Sequence, residues 1–386
     1  MPDPVPSVPS RPSATTRLSA GAVSRRLPDF PWDSLAEVKA RAVAHPDGIV
    51  DLSIGTPVDE TPAVAREALA AGANAPGYPQ TVGTLALRRS AVDWLARRHG
   101  VTGLDVDGVL PAIGSKELIA GLALHLGLGP GDAVVIPELA YPTYEVGARL
   151  AGCEVVVSDS TVALGPSAPS LMWINSPSNP SGRVLGLEHL RKTVSWARER
   201  GVLLVSDECY LECSWDATPS SVLHPDVSGG SHEGVLAVHS LSKRSNLAGY
   251  RAAFVAGDPT VIGELLEVRK NLGLIVPAPV QDAMTAALAD DAHADAQHAV
   301  YAARRATLRR AFEAAGFRID HSEASLYLWA TRGEPARETV RALADLGILV
   351  APGDFYGAAG AEHVRVGFTA SDERIAAAAT RLSSLA

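Results

Sequence analysis

The stretch HSLSKRSNLAGYR, His239 to Arg251, puts an amine and a forked cation on one short peptide. Lys243 follows Ser240 and Ser242 closely, and Arg251 comes eight residues later. A lysine that acts as a nucleophile needs a sheltered position beside groups that bias its protonation. The two hydroxyls offer such a setting, and the Arg251 guanidinium suits a bidentate grip on a phosphate. By itself a Ser-x-Ser-Lys also suits an exposed loop.

Upstream, VLLVSDECY places Asp207 at the end of an apolar run, with Tyr210 three residues beyond. A carboxylate there is costly unless it meets a cation or is fully hydrogen-bonded. A protonated pyridine-type ring nitrogen would be such a cation, and Tyr210 could then bond a phenolic oxygen of the same ring; a turn or helix-cap aspartate is the simpler alternative. LMWIN runs into SPSNPSG, which sets Asn179 in a proline-bounded loop where its amide could donate to that oxygen. Gly114-Ser115-Lys116 opens a helix whose start is either a phosphate seat or a plain cap. Tyr141, in PELAYPTY, could stack on a planar ring or only pack. Arg365, in HVRVGF, alternates with apolar neighbours and could take a substrate carboxylate or join a structural salt bridge.

The elements that must position these residues are legible in outline. Short apolar runs at 133–136, 154–157, 171–174, 202–205, 235–238 and 252–255 alternate with helical segments, the pattern of a mainly parallel sheet covered on both faces. Ligands of such sheets bind beyond the strands' carboxyl ends. Before them, Ser34 with Glu37 predicts a capping box opening a helix to Ala44, and 49–54 a strand. Thr61 and Pro62 predict the cap and first turn of another helix, and 84–99 a longer helix stopped by Gly100. An Ala-rich stretch, 279–315, predicts one long helix bridging into a smaller α+β unit. That unit has strands near 326–330, 349–351 and 363–368, and helices at 338–346 and 372–383.

With 386 residues, 47% of them hydrophobic, the chain can bury the cores of two domains. A net charge of -9 and the lack of a basic, aromatic-laced run argue against nucleic acid as partner. Cys153, Cys209 and Cys213 make no disulfide framework, and no spacing suggests a metal. No apolar stretch is long enough for a membrane span, which makes a cytoplasmic protein the expectation. Residues 1–26, rich in Pro, Ser and Arg, are expected to be a disordered arm. Their prolines argue against a transit helix.

Taken together, SNPSG, DECY, SLSK followed by Arg251, and VRVGF resemble, in order and spacing, the fold-type I aminotransferases of class I and II. The spacings are 28 residues from Asn179 to Asp207 and 36 from Asp207 to Lys243. The resemblance runs from about Leu27 to the C-terminus. It implies pyridoxal 5'-phosphate as cofactor and an α/β fold with a large, mainly parallel-sheet domain and a smaller α+β domain. The implied limits are 55–282 for the large domain, with 27–54 and 283–386 forming the small one. It also implies Lys243 as Schiff-base lysine and proton shuttle, Asp207 on the ring nitrogen, and Asn179 with Tyr210 on the ring hydroxyl. Gly114, Ser115, Lys116, Ser240, Ser242 and Arg251 would surround the phosphate, with Tyr141 on the ring face. Arg365 would hold the substrate α-carboxylate, Gly55 would line the entrance, and Tyr78 would reach the neighbouring subunit's phosphate in a homodimer with shared active sites.

More narrowly, LPDFPWDSL, DLSIGTPVD, PGYPQTVGT, KNLGLIVPAPVQ and SLYLWATRGEP look like the actinobacterial type of N-succinyldiaminopimelate aminotransferase. That likeness implies transfer of an amino group between N-succinyl-LL-2,6-diaminopimelate and 2-oxoglutarate, in lysine and diaminopimelate biosynthesis. Both substrates carry distal carboxylates, so further cations are expected in the pocket, with Lys270 as candidate. Acetylornithine, aspartate or alanine aminotransferases and a C-S β-lyase share the cofactor residues. A DNA-binding regulator would need a module that the residues before Phe30 are too few to form. A nicotinamide dehydrogenase would need a Gly-rich turn after a strand, whereas Gly127 to Gly131 precede one.

Overall fold

The computed structural model describes residues 23–166 and 168–385, so residues 1–22 of the expected arm lie outside the described residues. The arm's last four, Val23–Arg26, form an exposed 3₁₀ turn. Thirteen strands follow in chain order among the described residues. They are β1 (Val50–Asp51), β2 (Val109–Ile113), β3 (Ala133–Ile136), β4 (Glu154–Val157), β5 (Leu171–Asn175), β6 (Leu203–Asp207), β7 (Val235–Ser240) and β8 (Ala252–Gly257) in the first part. β9 (Arg318–Asp320), β10 (Tyr327–Thr331), β11 (Ile348–Leu349), β12 (Ala351–Pro352) and β13 (His363–Gly367) complete the set.

The large sheet has the order β2-β8-β7-β6-β5-β3-β4. Its pairs from β7 to β4 are parallel, and β8 runs antiparallel to both neighbours. Successive residues of β5 and β6 point to opposite faces, each into its own core. Met172, Ile174 and Leu204 face one, and Leu171, Trp173 and Val205 the other. Burial on both faces is why these strands read as unbroken apolar runs. A four-stranded antiparallel sheet, β12-β13-β10-β9, and the parallel pair β1-β11 build the second unit around a third core. The chain is thus α/β, with a mainly parallel sheet and a smaller α+β unit. The N-terminal β1 pairs with β11 of that unit, Val50 opposite Ile348.

Several sequence expectations are corrected by local chemistry. Pro31 starts a 3₁₀ turn through Leu35, and Ser34 Oγ donates back to the Pro31 carbonyl at 2.7 Å instead of capping, so the α-helix covers only Ala36–Val43. The expected strand at 49–54 shortens to β1. Thr61 does not cap the next helix, Ala63–Ala71; its hydroxyl turns to the Asn246 carbonyl at 3.4 Å. The long bridging helix is two helices, Ala278–Ala289 and Ala292–Ala314. Between them the Asp290 carboxylate accepts from the Ala292 and His293 amides (3.2 and 3.3 Å), a local alternative to the helical ladder that aspartate readily makes. The run at 349–351 divides between β11 and β12, which belong to different sheets. β2 was not legible because Pro111 lies within it; the strand sits at the sheet edge, where a missing donor is tolerated. The helix at 85–99 is as expected, with Thr84 accepting from the Leu87 amide and Gly100 left-handed at its end.

No helix among the described residues is long and apolar enough to cross a membrane.

Candidate active site

Registers across the large sheet align three strand ends. Asn175 of β5 lies opposite Asp207 of β6, and Asp207 opposite Val238 of β7. The loops leaving these ends bring Asn179, Tyr210 and Lys243 to the same edge. They line a cavity of about 290 Å³ with Ser115, Tyr141, Ser240, Ser242 and Arg251, and with Arg365 from the second unit. The loop after β5 is built by Asn175, whose side-chain amide donates to the Pro177 and Asp207 carbonyls and whose Oδ1 accepts from the Asn179 amide at 2.7 Å.

Lys243 lies on a single helical turn, Leu241–Arg244, started by Ser240, whose Oγ accepts from the Ser242 amide. Its Nζ donates to the Gly55 carbonyl. The next residue faces the other way. Arg244 is buried, pairs with Glu212, and donates to the Ala287 carbonyl at 2.8 Å, which anchors the turn from behind.

Asp207 is buried, with one carboxylate oxygen accepting from the Tyr144 hydroxyl (2.8 Å) and the other from the Cys209 amide (3.1 Å). Among the described residues it has no cation partner. Burial therefore raises its pKa above the ordinary carboxylate value, despite those donors. Arg365 presents the opposite case. It is 3% exposed, gives one nitrogen to Asn179 Oδ1 (2.8 Å) and another to the Ser53 carbonyl (2.6 Å), and meets no carboxylate among the described residues. The salt-bridge alternative is not what the geometry shows.

At the start of the helix Ser115–His125, Gly114 is left-handed, and a Cβ there would overlap the Arg251 guanidinium. Arg251 itself adopts φ 58°, held as its Nη1 donates to the Ala248 carbonyl at 2.9 Å. A helix N-terminus with an arginine laid across it is a ready seat for a phosphate. These features fit pyridoxal phosphate: the carboxylate would answer a protonated ring nitrogen, the Gly114–Arg251 cradle its phosphate, and Lys243 its aldehyde.

Two expected residues are not brought to this cavity. Lys270 is exposed at the end of its helix and pairs with Glu267 at 2.6 Å; its neighbour Arg269 is the buried one, bidentate on Glu117 at 3.0 and 2.9 Å. Tyr78 is 99% exposed on its loop. Lys116 lies at the rim, with Nζ 5.4 Å from the Phe30 ring, beside an adjoining cavity of about 1230 Å³. Burial pushes the phenol of Tyr141, which borders both cavities, up to about 12.

Two site residues were missed. Tyr144 holds Asp207 and stacks on Trp173 at 4.9 Å; its three-residue spacing from Tyr141 was the available signal. Tyr327 of β10 bonds Tyr210, hydroxyl to hydroxyl, at 2.9 Å, and its ring centroid lies 4.0 Å from the Arg365 guanidinium. The apolar run around it marked a strand but gave neither its face nor its partner strand.

Comparison with known proteins bears on this site. The model of the family described as aminotransferase class I and II matches residues 47–382. A probable aminotransferase of Mycobacterium tuberculosis is 64% identical over 94% of this chain and 87% of its own length. The 4-dedimethylamino-4-oxo-anhydrotetracycline transaminase of Streptomyces rimosus is 61% identical over 93% of this chain and 100% of its own. Among solved structures, a probable N-succinyldiaminopimelate aminotransferase of Thermus thermophilus is 28% identical with a TM-score of 0.83, covering 92% of this chain and 100% of that one.

The cradle yields a direct prediction. Gly114→Ala should weaken pyridoxal phosphate binding by roughly tenfold or more, the worth of a displaced charge-assisted contact. Titration of the stripped protein measures this, and far-ultraviolet circular dichroism should stay unchanged.

Proposed function

This chain belongs to the aminotransferase class I and II family, and from that membership we propose that it moves an amino group between N-succinyl-LL-2,6-diaminopimelate and 2-oxoglutarate, with Lys243 as catalytic amine. The enzyme is a pyridoxal-phosphate-dependent transaminase of fold type I. The observation that carries the residue assignment is the pair of buried charges without an ion-pair partner among the described residues, Asp207 and Arg365, which line the same cavity as Lys243.

When bound, the cofactor supplies a ring that withdraws electrons from the substrate Cα. Asp207 keeps a proton on the ring nitrogen, while Asn179 and Tyr210 donate to the ring hydroxyl. Asn179 is suited to this because Arg365 occupies its Oδ1 and leaves the amide nitrogen for the ring. Ser115, Ser240 and Arg251 hold the phosphate, and Tyr141 lies against the ring. Arg365 clamps the α-carboxylate and so fixes which Cα bond stands across the ring plane. Lys243 Nζ takes up the Cα proton as general base. The alternation of two substrates in one site gives ping-pong kinetics. Tyr78 supplies nothing to its own cavity, in keeping with a homodimer in which a second copy receives it.

The substrate follows from likeness and from the larger cavity. Of that cavity's cations, Arg337 is committed to Asp354 at 2.8 Å, whereas Lys39 and Lys116 have no ion-pair partner among the described residues. Lys116, nearer the Lys243 cavity through its shared lining, is the better candidate than Lys270 for a distal carboxylate. The likeness to the Streptomyces rimosus transaminase favours a second reading, an acceptor ketone on a fused-ring body. Phe30, Trp32, Phe355 and Tyr356 give the cavity an aromatic wall suited to one.

A panel of succinylated diaminopimelate, acetylornithine, aspartate, alanine and a fused-ring ketone decides between these. The first should give the highest kcat/KM, and Lys116→Ala should lower it roughly tenfold while leaving alanine nearly unaffected. A preference for the ring ketone would favour the second reading. Arg365→Ala should raise KM for every amino acid by roughly 10- to 100-fold without releasing cofactor. Borohydride reduction and peptide mapping should still find the cofactor's mass on Lys243; its loss would make Arg365 structural.

A further inference from the structure

We propose that Tyr327 is a positioning residue that donates its hydroxyl proton to Tyr210 Oη and thereby commits the Tyr210 proton to the cofactor's phenolic oxygen. The inference rests on the cofactor reading above. The two phenols lie 2.9 Å apart and are both buried, Tyr210 at 6% and Tyr327 at 3% exposure. Each has a single proton, so in their shared bond only one can donate. If Tyr210 donated, its remaining lone pair would face an oxygen that also needs a donor. If Tyr327 donates, Tyr210 is left with its proton free for the ring.

The surroundings set that direction. Arg365, from β13, lies 4.0 Å from the Tyr327 ring centroid, and a Cβ on Gly55 would overlap the Tyr327 hydroxyl, beside the carbonyl that receives Lys243 Nζ. Burial pushes the Tyr327 phenol up, but Arg365 and Lys243 pull it below its ordinary value. Arg365 also favours ionisation of the Tyr210 phenol, but burial outweighs it and holds that group well above its ordinary value. With the guanidinium 4.0 Å from its own ring, Tyr327 is the donor. The other titratable groups near Tyr327 are Cys213, Tyr141 and Tyr356, each with its pKa raised by burial. None of these brings a charge at neutral pH that would reverse the order.

The role differs from packing, because Tyr327→Phe keeps the ring under Arg365 and removes only the hydroxyl. A ring oxygen with a weaker donor is more basic and holds the neighbouring imine proton more tightly. The pH midpoint of the cofactor's visible absorbance change in the holoenzyme should then rise by roughly half to one pH unit in Tyr327→Phe. Tyr210→Phe should shift it further the same way, and the double variant should match Tyr210→Phe alone, since Tyr327 acts through Tyr210. An unchanged midpoint in Tyr327→Phe overturns the inference, as does a full additive shift in the double variant. A wild-type holoenzyme without any titrating visible band would overturn the cofactor reading itself, and the inference with it.

Discussion

Two opposite charges, buried without an ion-pair partner among the described residues, govern this molecule. Asp207 and Arg365 are each nearly sealed from water, they come from different sheets, and neither neutralises the other. Burying a lone ion costs several kcal/mol even after relaxation, so an arrangement of this kind persists only where ligands complete it. The carboxylate asks for a cation in the plane of a ring, and the guanidinium for a carboxylate. Lys243 stands where a group satisfying the first and a substrate satisfying the second would meet.

Much of the architecture serves to hold that unfinished pair. The parallel strands end in register, so that Asn175, Asp207 and Ser240 begin their loops at one edge. The smaller unit delivers Arg365 on β13, where it grips Ser53 and Asn179 at once and so couples three parts of the chain. Behind the floor, Arg244 with Glu212 fixes the Lys243 turn, and Arg269 with Glu117 fixes the helix that starts at the phosphate cradle. These second pairs are complete within the protein and therefore read as support, whereas the first two are not.

The sequence was most legible where a residue's role is local. The buried strands announced themselves by unbroken apolar runs, and Lys243, Asp207 and Asn179 by their place just after such runs. It was least legible where a role depends on strand register or on competition between side chain and backbone. Tyr327 could be assigned to a strand, but only the pairing of β10 with β13, Trp329 opposite Arg365, puts it beneath the guanidinium. Asp290 broke a helix whose composition argued for continuity. Lys270 was named from a likeness of its segment, and that likeness says nothing of its exposure or of its pairing with Glu267.

The claim that Asp207 bears an uncompensated charge for the cofactor's sake has a thermodynamic signature. Its folded-state pKa lies above the ordinary 3.8, so the stabilisation it gives the stripped protein is complete below that pH and is lost as pH rises through the folded value. The most direct test is thermal unfolding of stripped and loaded protein, wild type against Asp207→Asn, across that range and at neutral pH. The account predicts that the stripped variant is at least as stable as stripped wild type at neutral pH, while the stabilisation added by pyridoxal phosphate falls sharply. A stripped variant clearly less stable than wild type, with the cofactor's increment intact, would contradict it.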